Sequence, residues 1–314
     1  MPVFRIVVAV ILIAVDTLGI LGNLAVVFTI SINKRFHVMR YIFLASLAVS
    51  DFVIVALVVP VHVASKLYEE LAFSTTQCKA ITFLTRALYC STTLHLIAIS
   101  YDRYLAIVKS PLTYNQHITK GKTLLLVGFV WILPFATAAG PWFAIWEDYF
   151  PFSARLYHCD VCQGWDVQSR DQLTRSILYS VAAFAVPLLI IAWLNFKVFK
   201  TASLAEQEIM TQQTQVSHPS QPQQQRRGQH KAAKDVAVVL GAYLLCYLPA
   251  WTAILCRQVL PLNSVPVVVV FISNSLLLSK SAWNPVIYCI RKQEFRQALK
   301  MILRCKRVRA GNDE

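Results

Sequence analysis

Charged side chains at three places inside the apolar stretches of this chain could carry out chemistry. Asp51 lies within one apolar run, the pair Asp102-Arg103 lies near the end of another, and Lys280 lies within a third. A charge withdrawn from water needs a counter-charge or polar partners. The chemistry that these residues could perform is therefore the pairing and release of charge, which suits an ion site or a switch between two conformations.

The elements that position these charges are predicted to be membrane-spanning helices. The chain is 56% hydrophobic and 15% charged, whereas soluble proteins carry about 25% charged residues. Seven windows reach the length of about 20 apolar residues that a spanning helix needs: roughly 3–32, 39–66, 76–108, 121–145, 173–200, 233–258 and 264–289. Backbone groups in lipid must bond within their own element, and these windows lack the alternation of barrel strands. We expect an all-α membrane protein, a seven-transmembrane helix bundle.

Charge is distributed by side, which predicts the orientation of the bundle. The net charge of +14 comes from bases after the first, third and fifth windows and in the tail, while acids lie in the opposite connections. The positive-inside rule then predicts an outside N-terminus and a cytoplasmic C-terminus. The bundle is expected over 1–290, with a flexible cytoplasmic loop at about 201–232, and 291–314 should form an amphipathic helix and basic tail.

Short motifs mark every window in turn. They are Gly22-Asn23; Leu47-Ala48-Val49-Ser50-Asp51; Cys78 with Asp102-Arg103-Tyr104; Trp131; Pro187; Cys246-Tyr247-Leu248-Pro249; and Asn284-Pro285-x-x-Tyr288. In this order, over nearly the whole chain, they resemble those of rhodopsin-like (class A) G-protein-coupled receptors. The resemblance implies a plasma-membrane receptor that activates heterotrimeric G proteins and has arrestin among its partners. It implies neither an enzyme nor a cofactor, and no nucleic-acid partner.

The inner switch is carried over from the family motif by motif. The resemblance implies that Asp102 holds Arg103 at rest, and that Arg103 is freed on activation to meet the G protein. Leu112 is expected to be an apolar contact for the G protein, the alternative being a loop leucine packed on lipid headgroups. No acid stands in the segment 229–232, where the family often completes the resting lock. The remaining switch residues are Tyr104, Asn284, Pro285 and Tyr288.

The core polar network resembles a sodium site with one departure. Its members are Asn23, Asp51, Thr92, Ser281 and Asn284. Lys280 stands where the family often has asparagine or serine facing the same cavity. A buried ammonium needs a partner. We therefore expect Lys280 to replace the sodium ion and to pair with Asp51.

Lys280 also raises an opsin-like alternative, because opsins attach retinal to a lysine of the last span. Counted back from Asn284, the opsin position is Leu278. Two residues of offset rotate a helical side chain by about 200°, so Lys280 should point away from a retinal pocket. A membrane transporter is the other alternative, but the halves of this chain show no internal repeat.

The predicted ligand pocket follows from the positions that the family uses. Its residues are Thr85, Arg86, Tyr89, Tyr179, Tyr247, Trp251 and Asn274. Most amine receptors of the family have aspartate where Thr85 stands, so we expect a peptide or small molecule other than a simple biogenic amine. Arg86 either meets an acidic ligand group or extends to an outer acid. Acidic outer loops favour a cationic or peptide ligand.

Four further positions depart from the family pattern around the centre of the bundle. Tyr247 replaces the usual tryptophan, Tyr243 a phenylalanine, Thr93 an aliphatic residue and Asn195 an inner tyrosine. These replacements alter polar contacts, so the activation relay is expected to differ in detail.

The cysteines predict one disulfide and one lipidation site. An outer thiol sits in an oxidising compartment, and the resemblance implies that Cys78 pairs with Cys159 or Cys162. The Cys159-x-x-Cys162 spacing also occurs in metal sites, but a second ligand pair is lacking, so no metal is expected. Cys305 is either palmitoylated or a free cytosolic thiol.

Overall fold

The computed structural model describes residues 2–67, 74–109, 111–143, 152–153, 158–159, 174, 177–178, 181–213, 237–253, 255–256, 260, 265–291 and 293–303. Seven helical spans form the predicted bundle. In chain order they are Pro2–Ile32; Met39–Val53 continued by Val59–Leu67; Thr75–Val108; Lys120–Phe143; Val186–Gln213; Ala237–Ala253; and Val267–Arg291. We refer to them as the first to seventh spans.

The fifth span is longer than the sequence predicts. It continues to Gln213, well into the segment expected to be flexible. The added turns contain alanine, leucine, glutamate and glutamine, which have high intrinsic helix propensity. The polar residues therefore end the predicted hydrophobic window, but the helix continues through them. The rest of that loop lies outside the described residues.

Two spans contain a π-helical turn just before a proline. Ile54–Val58 interrupts the second span two residues before Pro60, and Val181–Ala185 precedes Pro187 in the fifth. Proline lacks an N–H and clashes with the preceding turn, so a wider turn relieves the clash without breaking the helix.

Hydropathy alone identifies only part of the bundle. By length and composition, four described helices could cross a membrane: Val3–Ile32, Met39–Ala64, Lys120–Ala139 and Val186–Leu204. The helix Ala237–Ala253 is apolar but shorter. The third and seventh spans carry the buried polar and charged groups of the core, which lower their hydropathy. Apolar side chains such as Leu125, Leu189 and Leu245 cover the outer surface, as a lipid-facing bundle requires.

Two glycines bring the first span against its neighbours. A Cβ on Gly22 would lie 2.6 Å from Cβ of Pro285, and one on Gly19 would lie 2.8 Å from Cγ1 of Val55. Helices can approach this closely only where a side chain is missing. The third span contacts the second, fourth and fifth, so it forms the centre of the bundle.

The inner end of the bundle is closed by the predicted amphipathic helix. This terminal helix, Gln293–Leu303, buries Phe295 and Ala298 in a cluster with Tyr288 and Val26. A second short helix, Pro111–His117, forms the loop after the third span.

The outer loop between the fourth and fifth spans contains a small hairpin. Strand β1, Phe152–Ser153, pairs antiparallel with strand β2, His158–Cys159. Strand β2 contacts the third span, so Cys159 lies in an element that packs on the helix carrying Cys78. The two side chains, and all of Cys162, lie outside the described residues.

Candidate functional site

Asp51 organises a polar core between the second and seventh spans. Its side chain is fully buried. Oδ1 accepts a hydrogen bond from Oγ of Ser281 at 2.9 Å, and Oδ2 accepts one from Nδ2 of Asn284 at 2.7 Å. Both donors come from one turn of the seventh span. The carboxylate therefore fixes the rotation of the helix that carries the Asn284-Pro285 motif.

Asn23 and Thr92 extend this core to the first and third spans. Nδ2 of Asn23 donates to the carbonyls of Gly19 and Ser281, both at 2.9 Å. Oγ1 of Thr92 donates to the carbonyl of Leu88 at 3.0 Å. Hydrogen bonds thus connect Asn23, Asp51, Ser281 and Asn284, whereas Thr92 is bonded to its own helix.

Lys280 does not make the expected ion pair with Asp51. Its side chain is only 5% exposed, and Nζ has no hydrogen-bond partner among the residues that the structure describes. Nζ lies instead 4.7 Å from the ring centroid of Tyr89 and 5.1 Å from that of Tyr247. These are cation–π contacts. Lys280 was expected to point away from a retinal pocket, and its four-carbon chain reaches two residues of the predicted ligand pocket.

Aromatic rings from the third, fifth and sixth spans form the centre of the candidate pocket. Tyr247 stacks on Phe184 at 5.5 Å between centroids, and Phe184 stacks on Trp251 at 4.9 Å. Tyr89 meets Tyr247 edge-on at 6.1 Å. Among the described residues, neither the buried Nε1 of Trp251 nor the buried hydroxyl of Tyr89 has a hydrogen-bond partner. This aromatic cluster (Tyr89, Phe184, Tyr247, Trp251) therefore offers π faces and two donors to a ligand.

The sequence did not predict Phe184 as a pocket residue. The remaining predicted pocket residues are Thr85, Arg86, Asn274 and Tyr179. Oγ1 of Thr85 donates to the carbonyl of Ile81 at 2.6 Å, which leaves its lone pairs available. Arg86 and Asn274 are half-buried in the third and seventh spans. Tyr179 lies outside the described residues.

Two pairs of polar groups explain three of the departures from the family pattern. The hydroxyls of Thr93 and Tyr243 are 3.0 Å apart. Nδ2 of Asn195 donates to Oγ of Ser100 at 2.9 Å. These pairs join the third span to the sixth and fifth, respectively.

The inner end of the third span has the expected charge pair. Asp102 Oδ2 accepts a hydrogen bond from Nη2 of Arg103. Asp102 Oδ1 accepts a second from the Tyr114 hydroxyl at 3.1 Å. Partial burial, with the Asp102 charge beside it, raises the pKa of Tyr114 to about 12. The phenol is therefore a permanent donor at neutral pH, and it connects the loop helix Pro111–His117 to the switch.

The remaining described switch residues lie on the loop helix, the third span and the seventh span. Leu112 is 70% exposed on the loop helix, as a contact residue for a partner would be. Tyr104 packs against Trp193 at 5.7 Å, and Tyr288 is buried against Phe295. The segment 229–232 and Cys305 lie outside the described residues.

A buried histidine network was missed from the sequence. His95 is fully buried; its Nε2 lies 2.7 Å from Oγ of Ser46 and its Nδ1 2.8 Å from the carbonyl of Ser91. Trp131 donates from Nε1 to the same Ser46 oxygen at 2.9 Å. Because a carbonyl can only accept, Nδ1 carries the proton and Ser46 donates to Nε2. The sequence signal was a histidine four residues after a serine in an apolar helix.

Fold and switch together define a seven-helix membrane receptor. The family model "7 transmembrane receptor (rhodopsin family)" matches residues 22–288, and the chain belongs to that family. It is accordingly a multi-pass plasma-membrane receptor whose partners are heterotrimeric G proteins, and not an enzyme.

Curated relatives cover almost the whole chain at low identity. The histamine H2 receptor of Cavia porcellus is 26% identical over 320 residues, which is 97% of this chain and 81% of the relative. The octopamine receptor beta-2R of Chilo suppressalis is 25% identical, covering 94% of this chain and 79% of the relative. Squid rhodopsin superposes with a TM-score of 0.80 at 22% identity, covering 99% of this chain and 89% of that structure.

These relatives contradict the expectation about the ligand. The absence of aspartate at Thr85 led us to exclude a simple biogenic amine, yet the similar receptors are named for histamine and octopamine. The lack of one carboxylate at Thr85 was therefore not a sufficient reason to exclude an amine ligand. The likeness to squid rhodopsin concerns the fold alone.

Proposed function

We propose that this receptor binds a small aromatic amine in the aromatic cluster and transmits the signal to a heterotrimeric G protein. The observation that supports it most is the stack of Tyr247, Phe184 and Trp251 between the fifth and sixth spans. Aromatic faces attract an ammonium through their quadrupole, contributing about 0.5–2 kcal/mol each. Such a cluster binds a cation without the carboxylate that Thr85 replaces.

The two ends of an arylalkylamine have different partners in this pocket. The ammonium would lie on the faces of Phe184 and Trp251, with the Thr85 hydroxyl as acceptor. A phenol or imidazole acceptor would take the unpaired N–H of Trp251. Lys280 already makes cation–π contacts with Tyr89 and Tyr247, so the ligand's ammonium would use the other two rings of the cluster.

The outer loops would help to attract such a ligand. Acidic residues outnumber basic ones in these loops. The acids are Glu69, Glu70, Glu147, Asp148, Asp160, Asp166 and Asp171. A negative rim raises the local concentration of a cation and its association rate. The proposed orientation, with the N-terminus outside and the basic tail in the cytoplasm, puts these acids on the ligand's side of the membrane.

The inner half would respond through the residues of the switch. Ligand binding must favour one arrangement over the other, since equal affinity shifts no equilibrium. In the proposed mechanism Arg103 leaves Asp102, and the sixth span moves at Pro249 and the seventh at Pro285. Leu112 and Arg103 would then contact the G protein. A disulfide between Cys78 and Cys159 or Cys162 would hold the outer loop, and Cys305 is the proposed lipidation site.

The proposal is tested by amine potency in pocket variants. Full-length receptor in nanodiscs is titrated with histamine and octopamine, and nucleotide exchange on purified G proteins is measured. Trp251→Leu and Phe184→Leu should each raise the half-maximal concentration about 3- to 30-fold, as the loss of one cation–π contact implies. The matched controls Trp283→Leu and Phe129→Leu change exposed rings of the seventh and fourth spans and should leave potency unchanged. Equal effects in pocket and control variants would contradict the proposal.

A further inference from the structure

The buried ammonium of Lys280 lacks the partners that a cation normally has. Within the described part of the chain, no hydrogen bond reaches Nζ, and no acid lies within ion-pair distance of it. Its contacts are the rings of Tyr89 and Tyr247, which carry no net charge. A buried cation in this setting needs a negative charge nearby to offset its desolvation.

The Asp51 carboxylate, in turn, lacks a positively charged partner among the described side chains. It is a fully buried carboxylate whose two contacts, Ser281 and Asn284, are neutral donors. Lys280 directly precedes Ser281 on the seventh span, so the ammonium is carried by the helical turn that bonds the Asp51 carboxylate of the second span. Each supplies the charge that the other lacks, although they do not touch.

The residues do not fit the sodium ion that the family resemblance implies. A metal cation needs oxygen lone pairs directed at it, but Ser281 and Asn284 direct hydrogens at Asp51. A fixed ammonium in the same core would repel a second cation.

We propose that Lys280 is the resident cation of the Asp51 core, so that this receptor does not bind sodium there. The positive charge is part of the protein itself, because the Lys280 side chain carries it and contacts Tyr89 and Tyr247. The core is therefore permanently neutralised and insensitive to the sodium concentration. This holds whatever ligand the pocket takes, so it stands or fails separately from the proposed amine.

The test compares sodium with an organic cation at equal ionic strength. Thermal unfolding midpoints of the full-length receptor in nanodiscs are measured in sodium chloride and in N-methylglucamine chloride. The wild type should unfold at the same temperature in both. Lys280→Asn removes the tethered charge and supplies a side-chain oxygen, so sodium should raise its midpoint saturably by several degrees. Adding Asp51→Asn to that variant should abolish the effect.

Controls separate this effect from general salt dependence. Lys122→Asn removes an exposed lysine of the fourth span and should keep the wild-type behaviour. If Lys280→Asn does not fold, Lys280→Met serves, with ²³Na resonance broadening on the wild type as the second readout. Saturable sodium stabilisation of the wild type that Asp51→Asn removes would overturn the proposal. So would a Lys280→Asn variant that folds but gains no response to sodium.

Discussion

The Tyr243 hydroxyl lies 3.0 Å from the Thr93 hydroxyl and joins the sixth span to the third. Thr93 directs its own hydrogen to the Tyr89 carbonyl, also at 3.0 Å, so Tyr243 is the donor across the interface. Each residue alone departs from the family pattern. Together they are complementary, since the phenol has its acceptor and the threonine replaces an aliphatic contact with a bond.

Breaking this bond from either side should have unequal effects. Thr93→Val leaves a buried phenol unpaired and should lower the free energy of unfolding by about 1–3 kcal/mol. Tyr243→Phe leaves Thr93 bonded to the Tyr89 carbonyl and should cost about 1 kcal/mol. The measurement is the unfolding midpoint of each single variant and of the double variant.

Thr252→Val is the matched control for these variants. Thr252 is exposed and bonds only carbonyls of its own helix. It should change stability by less than either core variant. If the effects of Thr93→Val and Tyr243→Phe simply add in the double variant, the two hydroxyls are not coupled.

Tyr114 is expected to restrain ligand-free signalling. Its hydroxyl holds one oxygen of Asp102 while Arg103 holds the other. Tyr114→Phe removes one hydrogen bond of about 0.5–1.5 kcal/mol and should raise ligand-free nucleotide exchange about 2- to 10-fold. Asn115→Ala, an exposed neighbour on the same loop helix, should have no effect. Unchanged exchange in Tyr114→Phe would show that the bond does not restrain the switch.

The same tyrosine predicts a pH dependence that lies far from neutrality. Its pKa rises from 10.0 to about 12. A folded-state pKa above the unfolded value means that the contribution to stability is complete below pH 10.0 and is lost as the pH rises through about 12. Subtracting the phenolate absorbance of Tyr114→Phe from that of the wild type should give a midpoint near the higher value. A midpoint near the ordinary one would contradict the bond to Asp102.

Close packing of the first and seventh spans should not tolerate a methyl group. Gly22→Ala would bring a Cβ within 2.6 Å of Pro285 and should destabilise the receptor by about 1–3 kcal/mol. Gly128→Ala is the control, because a Cβ there meets nothing within 4 Å. It should be neutral or stabilise by up to about 1 kcal/mol. Equal losses of thermal stability in both variants would contradict the packing argument.

Replacing Ser46 should destabilise the receptor more than replacing Ser91, the other serine of the histidine network. Ser46→Ala removes the acceptor of Trp131 and the donor to His95 together, and we expect a loss of about 2–4 kcal/mol. Ser91→Ala should be nearly neutral, because His95 already bonds the Ser91 carbonyl at 2.8 Å while the hydroxyl is 3.4 Å away. The comparison is made by unfolding midpoints. The reverse order of effects would show that the assigned tautomer is wrong.

The sequence predicts the spans well because bilayer thickness constrains them directly. Six of the seven windows agree with the described helices to within a few residues, and the fifth fails only where a polar segment continues the helix to Gln213. The hydrogen bonds from Ser281 and Asn284 to Asp51 follow from polar residues that lie on neighbouring helices. These predictions need only helix positions and the polarity of residues.

Side-chain partners could not be predicted in the same way. Lys280 was assigned a partner by charge and a direction by helical rotation, but a four-carbon chain can turn from Asp51 toward two rings. Tyr114 acquired its role because the loop after Pro111 folds as a helix. A simple biogenic amine was excluded on one position, Thr85, whereas the candidate pocket contains several aromatic rings.

The most direct test is amine-stimulated nucleotide exchange by the purified receptor. Wild type and Arg103→Ala are reconstituted in nanodiscs with each class of heterotrimeric G protein, and exchange is followed with and without histamine or octopamine. We predict that at least one of these amines accelerates exchange in the wild type and that Arg103→Ala abolishes the response. A wild-type receptor that folds but shows no acceleration by either amine with any heterotrimer would contradict the account.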